Sequence, residues 1–245
     1  MSTENTPKLL PLDEDWERAV AVAAHPDDLE YGAASAIARW TAQGKEITYL
    51  LLTRGEAGID GMDPAEAGPL REAEEIAGAA QVGVSTVDFL DYRDGVIEYG
   101  MALRRDIARA FRKYRPEIVI SGNHRLQYSS GKLNMADHRW AGLAVLDAAR
   151  DAGNRWIFPE LLEEGLEPWD GIRSVLVAGG SDNPTHGVDV GDTLERGIAS
   201  LKEHKAYIEG LSYDFDPEEF LTWGAAAAGE RLGVDYAVMF EEIGI

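Results

Sequence analysis

The chain has 245 residues, 45% of them hydrophobic, which suits one domain with a sizeable core. Its 44 acidic residues against 23 basic ones give a net charge of −21, a field that repels nucleic-acid phosphates and anionic membrane surfaces; solubility or a salty interior accounts for that charge without naming a substrate. Cysteine is absent, so disulfides and thiolate metal sites are excluded and any metal must be held by nitrogen and oxygen.

In chain order, residues 1–16 are polar with acidic members, unlike a secretory signal, and no later stretch approaches the ~18–20 consecutive apolar residues of a membrane span. The expectation is a soluble cytoplasmic protein with no nucleic-acid or membrane partner, while a homo-oligomer stays open. Strand-like runs at 19–24, 47–53, 87–90, 118–121 and 174–178 alternate with helical patterns near 29–43, 70–80, 100–114 and 137–152. Residues 158–171, rich in Glu, Pro and Gly, read as a surface connection. Residues 193–211 read as one long amphipathic helix, and 216–229 as a shorter helix after a turn. The rhythm predicts an α/β fold: a Rossmann-like, mostly parallel sheet with helices on both faces, one domain over 1–245 and no internal repeat.

His25-Pro26-Asp27-Asp28-Leu29-Glu30 follows the apolar run 19–24, where open α/β sheets place their ligand sites. Proline after the run disfavours continued helix, and Leu29, Ala33, Ala36, Ile37 and Trp40 recur at helical spacing, which puts Asp27 and Asp28 at a helix start. An imidazole with a carboxylate three residues on can bind zinc, and the carboxylate between them can take a proton from water. On these residues alone, a helix-capping Asp beside a strand-end histidine explains the string equally well.

Further along stand Thr53-Arg54-Gly55-Glu56-Ala57-Gly58, Leu70-Arg71-Glu72-Ala73-Glu74, Phe89-Leu90-Asp91-Tyr92-Arg93-Asp94-Gly95, Asp137-His138-Arg139 and Val188-Asp189-Val190, the last before a helix with Leu201 and His204. With the first motif these pieces resemble, in order and across roughly 19–210, the LmbE-like or PIG-L-type zinc-dependent N-acetylglucosaminyl deacetylases. No Gly-x-Gly-x-x-Gly follows the first strand, which sets a dinucleotide-binding domain aside.

The resemblance implies Zn2+, or another divalent metal, on His25, Asp28 and His138, with Asp27 as the general base that takes a proton from the attacking water. It implies hydrolysis of an N-acyl, chiefly N-acetyl, group on a small amino sugar or glucosamine conjugate. A thiol conjugate or natural-product glycoside is an alternative substrate. The chain departs from the family at Met135, where relatives carry a histidine three residues before the metal-binding one; methionine cannot donate a proton. His124, at the end of the fourth strand, or protonated Asp27 would then supply the acid, and a non-catalytic metal- or sugar-binding protein is the competing reading. Arg71, opening a helix, and Asp94, in a strand-end loop, are candidates for gripping substrate hydroxyls. Glu30 is read as a supporting hydrogen-bond partner, Asp137 as an N-cap or surface carboxylate, and His186 and His204 as structural.

Overall fold

The computed structural model describes residues 8–245, so part of the N-terminal segment read above lies outside the described residues. The chain runs β1 (Leu10–Pro11), β2 (Arg18–Ala23), α1 (Asp28–Gly32), α2 (Ala34–Ala42), β3 (Glu46–Leu51), α3 (Pro64–Gln81), β4 (Thr86–Phe89), α4 (Met101–Tyr114), β5 (Ile118–Ser121) and α5 (Ala136–Asp151). It continues through α6 (Glu160–Glu163), β6 (Ser174–Val177), β7 (His186–Asp189), α7 (Leu194–Leu201), α8 (Lys205–Glu209), α9 (Pro217–Leu232) and β8 (Ala237–Gly244). Among the described residues, no helix is long and apolar enough to cross a membrane.

All eight strands form one sheet in the order β1-β7-β8-β6-β5-β2-β3-β4. The five expected strands run parallel side by side, β8 enters antiparallel between β6 and β7, and β1 pairs parallel with β7 at the edge. Strand β2 lies at the middle of those five because both its faces are apolar: Ala19, Ala21 and Ala23 join the core under α2, while Val20, Val22 and Ala24 join the core under α4 and α5. From β2 the chain first steps outward to β3 and β4, then returns to place β5 on the other side. That reversal opens a crevice beyond the carboxyl ends of β2 and β5, where Val22 pairs with Ser121 and His25 lies just past the last pair.

Three sequence expectations need correction. Helix α3 begins at Pro64, with the Asp63 side chain accepting the Ala65 N–H, and carries Pro69 inside it; Arg71 therefore sits in its third turn instead of opening it. The long helix over 193–211 is two helices, because the wholly buried His204 stands in non-helical backbone between them and Glu74 Oε1 accepts the Ala206 N–H at the start of α8. The 158–171 connection is anchored rather than superficial: Phe158 and Leu161 enter the core beside α4 and α5, and Trp169 donates its indole N–H to the Pro116 carbonyl.

Candidate metal centre and active site

The β2–α1 corner is tight and strained. Asp27 adopts φ 91°, ψ −24°, a left-handed conformation that costs a non-glycine residue energy and persists only when its surroundings enforce it. Two neighbours do so. Glu75 Oε2 accepts the Asp27 N–H at 3.0 Å, and Arg71 Nη2 donates both to the Pro26 carbonyl at 2.5 Å and to Asp27 Oδ2 at 3.0 Å. Asp27 occupies the N-cap position of α1 yet makes no side-chain cap. Asp28 Oδ2 instead accepts the His25 N–H at 2.9 Å, closing the corner on itself.

From this corner His25 and Asp28 meet His138, which α5 supplies from its first turn. His25 Nδ1 lies 3.5 Å from Asp28 Oδ2, and His138 Nε2 lies 3.0 Å from Asp28 Oδ1. One ligand-type atom from each residue falls within 4.8 Å of the others, the spacing of donors around one ion with bonds of about 2.0–2.2 Å. His138 Nδ1 has the Asn134 Oδ1 at 3.1 Å and the Tyr128 hydroxyl at 2.9 Å, which fixes the ring so that Nε2 carries the lone pair. That Nε2 is buried without a well-formed hydrogen bond among the described residues, as expected of an atom reserved for a cation. The donor set therefore fits a divalent metal.

Behind His25 stand two carboxylates. Its Nε2 is 3.1 Å from Asp94 Oδ1 and 3.3 Å from Asp137 Oδ2, so an Nε2–H directed at them leaves Nδ1 free as a ligand. Asp137 is buried, contrary to the surface reading, and also accepts the Gly95 and Ile97 N–H groups, tying the strand-end turn to α5. Asp94 Oδ2 accepts the Ala57 N–H. Asp94 thus faces the cavity while its carboxylate is engaged with His25 and the 53–58 loop.

Burial by itself opposes every charge here, and the mutual attractions decide where each group settles. His25 and His138 are pushed above the ordinary histidine range by the Asp28 charge, and Asp28 is held well below the carboxylate range by the two imidazoles. Asp27 behaves differently. Burial raises its carboxyl to about 7 against the pull of Arg71, with the Asp28 charge adding to the rise. A carboxylate brought near neutrality can take a proton and give it back at physiological pH.

The centre opens into a cavity of about 700 Å³ lined by His25, Asp27, Asp28, Asp94, His138 and, at the rim, Met135 and Tyr128. Arg71 also borders it, but its guanidinium is committed: beyond the bonds above, Nη1 donates to the Gly55 carbonyl at 3.1 Å and the group lies 4.2 Å over the Tyr207 ring. Gly55, at φ 62°, and Gly58 make room for it, since a Cβ on either would come within 2.4 Å of Nη1. Its observed work is to hold Asp27. His124 is not brought to the centre. Asn123 turns inward and donates to the Gly180 carbonyl, which sends the next side chain against Gly142 of α5, outside the cavity lining. Burial and the Arg125 charge lower its pKa, and no metal-site carboxylate acts on it.

Sequence reasoning missed the layer beneath Asp27. Glu30, Glu75 and His204 are wholly buried, with His204 Nε2 at 3.7 Å from an oxygen of each carboxylate, and Ser200 donates to Glu30. Burial raises Glu30 to about 8 and Glu75 well above its ordinary range, and lowers His204 to about 3. Glu30, expected to support the site by a hydrogen bond, is bonded to Ser200 and to none of His25, Asp28 and His138. The Glu72-Ala73-Glu74-Glu75 run carries the signal for Glu75 only as an acidic residue one turn after Arg71, indistinguishable from a solvated helix face.

Residues 20–149 match the family described as PIG-L, GlcNAc-PI de-N-acetylase. The chain is 30% identical over 196 residues to a diacetylchitobiose deacetylase of Thermococcus kodakarensis, covering 78% of this chain and 70% of that one. It is 28% identical over 214 residues to a 1D-myo-inositol 2-acetamido-2-deoxy-alpha-D-glucopyranoside deacetylase of Rhodococcus erythropolis, covering 76% of this chain and 66% of the relative. Its structure superposes on the N,N'-diacetylchitobiose deacetylase of Pyrococcus horikoshii with a TM-score of 0.83 at 25% identity, over 94% of this chain and 85% of the other.

Proposed function

The chain belongs to the PIG-L family, and on that premise we propose that it is a metal-dependent amide hydrolase that removes the N-acetyl group from an N-acetylglucosamine-type amino sugar. The observation that carries this reading is the convergence of His25, Asp28 and His138 on one point of a cavity that Asp27 also lines. We assign the metal to these three residues and take zinc as the ion, although nitrogen and oxygen donors also suit other divalent cations. When bound, such an ion polarises the acyl carbonyl and lowers the pKa of water.

The residues of the chain do the rest. Asp27, held by Arg71, accepts a proton from the attacking water as its oxygen bonds to the acyl carbon. When the C–N bond breaks, the departing amine takes that proton back from Asp27, and acetate is the second product. Asp27 acts in both directions because Met135 cannot donate and His124 does not line the cavity. Asp94 and Asp137 hold the His25 ring, and Tyr128 with Asn134 holds the His138 ring. The test is a panel of N-acetylglucosamine, N,N'-diacetylchitobiose and N-acetylglucosaminyl-inositol offered to zinc-loaded protein. Equal release of free amine and acetate from at least one is expected; release from none, with the metal shown to be bound, would overturn the proposal.

A further inference from the structure

A second cavity, of about 200 Å³, adjoins the one that His25, Asp27, Asp28 and His138 line. The two share Tyr31, Ser129, Gly179, Gly180 and Phe220, so they meet along those residues. The smaller one is walled by the α1–α2 junction, helix α9 and strand β8, and α9 and β8 both lie beyond the residues that match the family. Its apolar lining includes Ala33, Ala34, Leu221, Ala225, Ala228 and Val238. The cause is local. Helix α9 carries only glycine and alanine from Gly224 to Gly229, and the facing junction is built on Ala33 and Ala34, so neither side brings a side chain long enough to fill the gap. Of the polar groups at the wall, Ser181 donates to Glu241 and Glu30 Oε1 accepts from Ser200, and neither partner lines the space. Phe220, common to both cavities, is held edge-on to Tyr31 at 5.6 Å and tilted against Phe215 at 5.5 Å.

Walls of this kind gain little from water and about 4-fold in affinity for each methylene buried against them. A water-sized group takes about 30 Å³, so the space admits a short chain of about four to six carbons. Which part of an amide substrate enters it follows from the reaction. A carbonyl carbon set beside Asp27 carries the sugar nitrogen on one side and its own chain on the other. The hydroxyls of the sugar suit the wider cavity, where Tyr128 and Ser130 stand, and the chain suits the apolar one.

We propose that the cavity between the α1–α2 junction, α9 and β8 is an acyl pocket, so that the chain hydrolyses N-acyl amino sugars with acyl groups of about four to six carbons and binds them more tightly than the N-acetyl forms. This rests on the deacetylase reading for its chemistry, and the bonds are the same: the water oxygen joins the acyl carbon, the C–N bond breaks, the amine takes the proton from Asp27, and the acid leaves as its carboxylate. The test reads binding alone. Asp27→Asn protein loaded with zinc is titrated calorimetrically with N-acetyl-, N-butanoyl- and N-hexanoylglucosamine and with the hexyl glycoside of N-acetylglucosamine. N-Butanoylglucosamine is expected to bind on the order of 10-fold tighter than the N-acetyl sugar. Gly224→Leu, at a lining position where a Cβ meets nothing within 4 Å, should remove that advantage and leave N-acetyl affinity unchanged. Equal affinity for the three acyl sugars overturns the pocket, as does a chain-length advantage that survives both Gly224→Leu and Ala228→Leu. A gain with the hexyl glycoside that Gly224→Leu abolishes would assign the space to an aglycone and overturn it too. Wild-type protein inactive on every N-acyl sugar would sink the deacetylase reading while these titrations still decide the pocket.

Discussion

The two segments that build the candidate metal centre are made differently. The β2–α1 corner, from Ala24 to Asp27, is buried, bent into a left-handed turn at Asp27 and fixed by Arg71 and Glu75. The connection from β5 to α5 is exposed at Leu126, Leu133 and Met135, and only its polar anchors, Asn123 and Asn134, are buried. On our proposal the corner with Asp28, which follows it, carries the base and two ligands, while the connection carries the cavity rim and the departure from the family at Met135 and leads into the first turn of α5, which carries the third ligand. A buried corner can hold strain because packing over-determines it, whereas an exposed connection is free to vary and so is where this chain can differ from its relatives.

The largest effect should come from removing one ligand from each side. His25→Ala and His138→Ala are both expected to lose the metal and, with it, several kcal/mol of transition-state stabilisation, on the order of 10³-fold or more in kcat/KM. Elemental analysis together with amine release checks this. Metal retained in His138→Ala alone would mean that the corner is a complete site by itself, and the comparison would break.

A smaller effect concerns the layer under the corner. Burial raises Glu30 to about 8, above its unfolded value near 4.5, so the folded chain holds a proton there that the unfolded chain has released. The associated stability is fully present below the unfolded pKa and is lost as pH rises through about 8. Protein stripped of metal should therefore lose about 1 kcal/mol per pH unit from this group between pH 6 and 8, or roughly 2–4 °C in Tm. Glu30→Gln should flatten that slope in thermal melts, and an unchanged slope would assign it to other groups.

The smallest effect is expected in the connection. On our proposal that His124 is not the general acid, His124→Ala should keep the metal and leave kcat within about 2-fold, since its Cβ lies against Gly142 of α5 and the residue does not line the cavity. A fall of 10²-fold or more with the metal in place, seen in steady-state kinetics, would return His124 to the reaction.

What the sequence made legible follows the same division. The five expected strands and the helices near 100–114 and 137–152 were readable because their apolar periodicity reflects burial on one or both sheet faces, whereas the one helix expected near 29–43 is two, α1 and α2, parted at the non-helical Ala33. Strands β1, β7 and β8 were not, since two residues at an edge and runs such as His186–Asp189 hold no clear alternation. The set His25, Asp28 and His138 was read from motif order, and the chain folds it into one cluster. Asp137 and Glu75 were hidden because a buried carboxylate is spelled like an exposed one, and only the fold shows the N–H groups it accepts. Arg71 and Asp94 were noticed for the right neighbourhood, but their commitments to Asp27 and His25 depend on loops brought together from distant positions.

The central claim is that Asp27 moves the proton while His25, Asp28 and His138 hold the metal. The most direct measurement sets zinc content beside amine release from N,N'-diacetylchitobiose in wild type and Asp27→Asn. The expected result is about one zinc per chain in both proteins and a kcat lower by roughly 10²- to 10⁴-fold in Asp27→Asn. Equal kcat at equal zinc content would contradict the account.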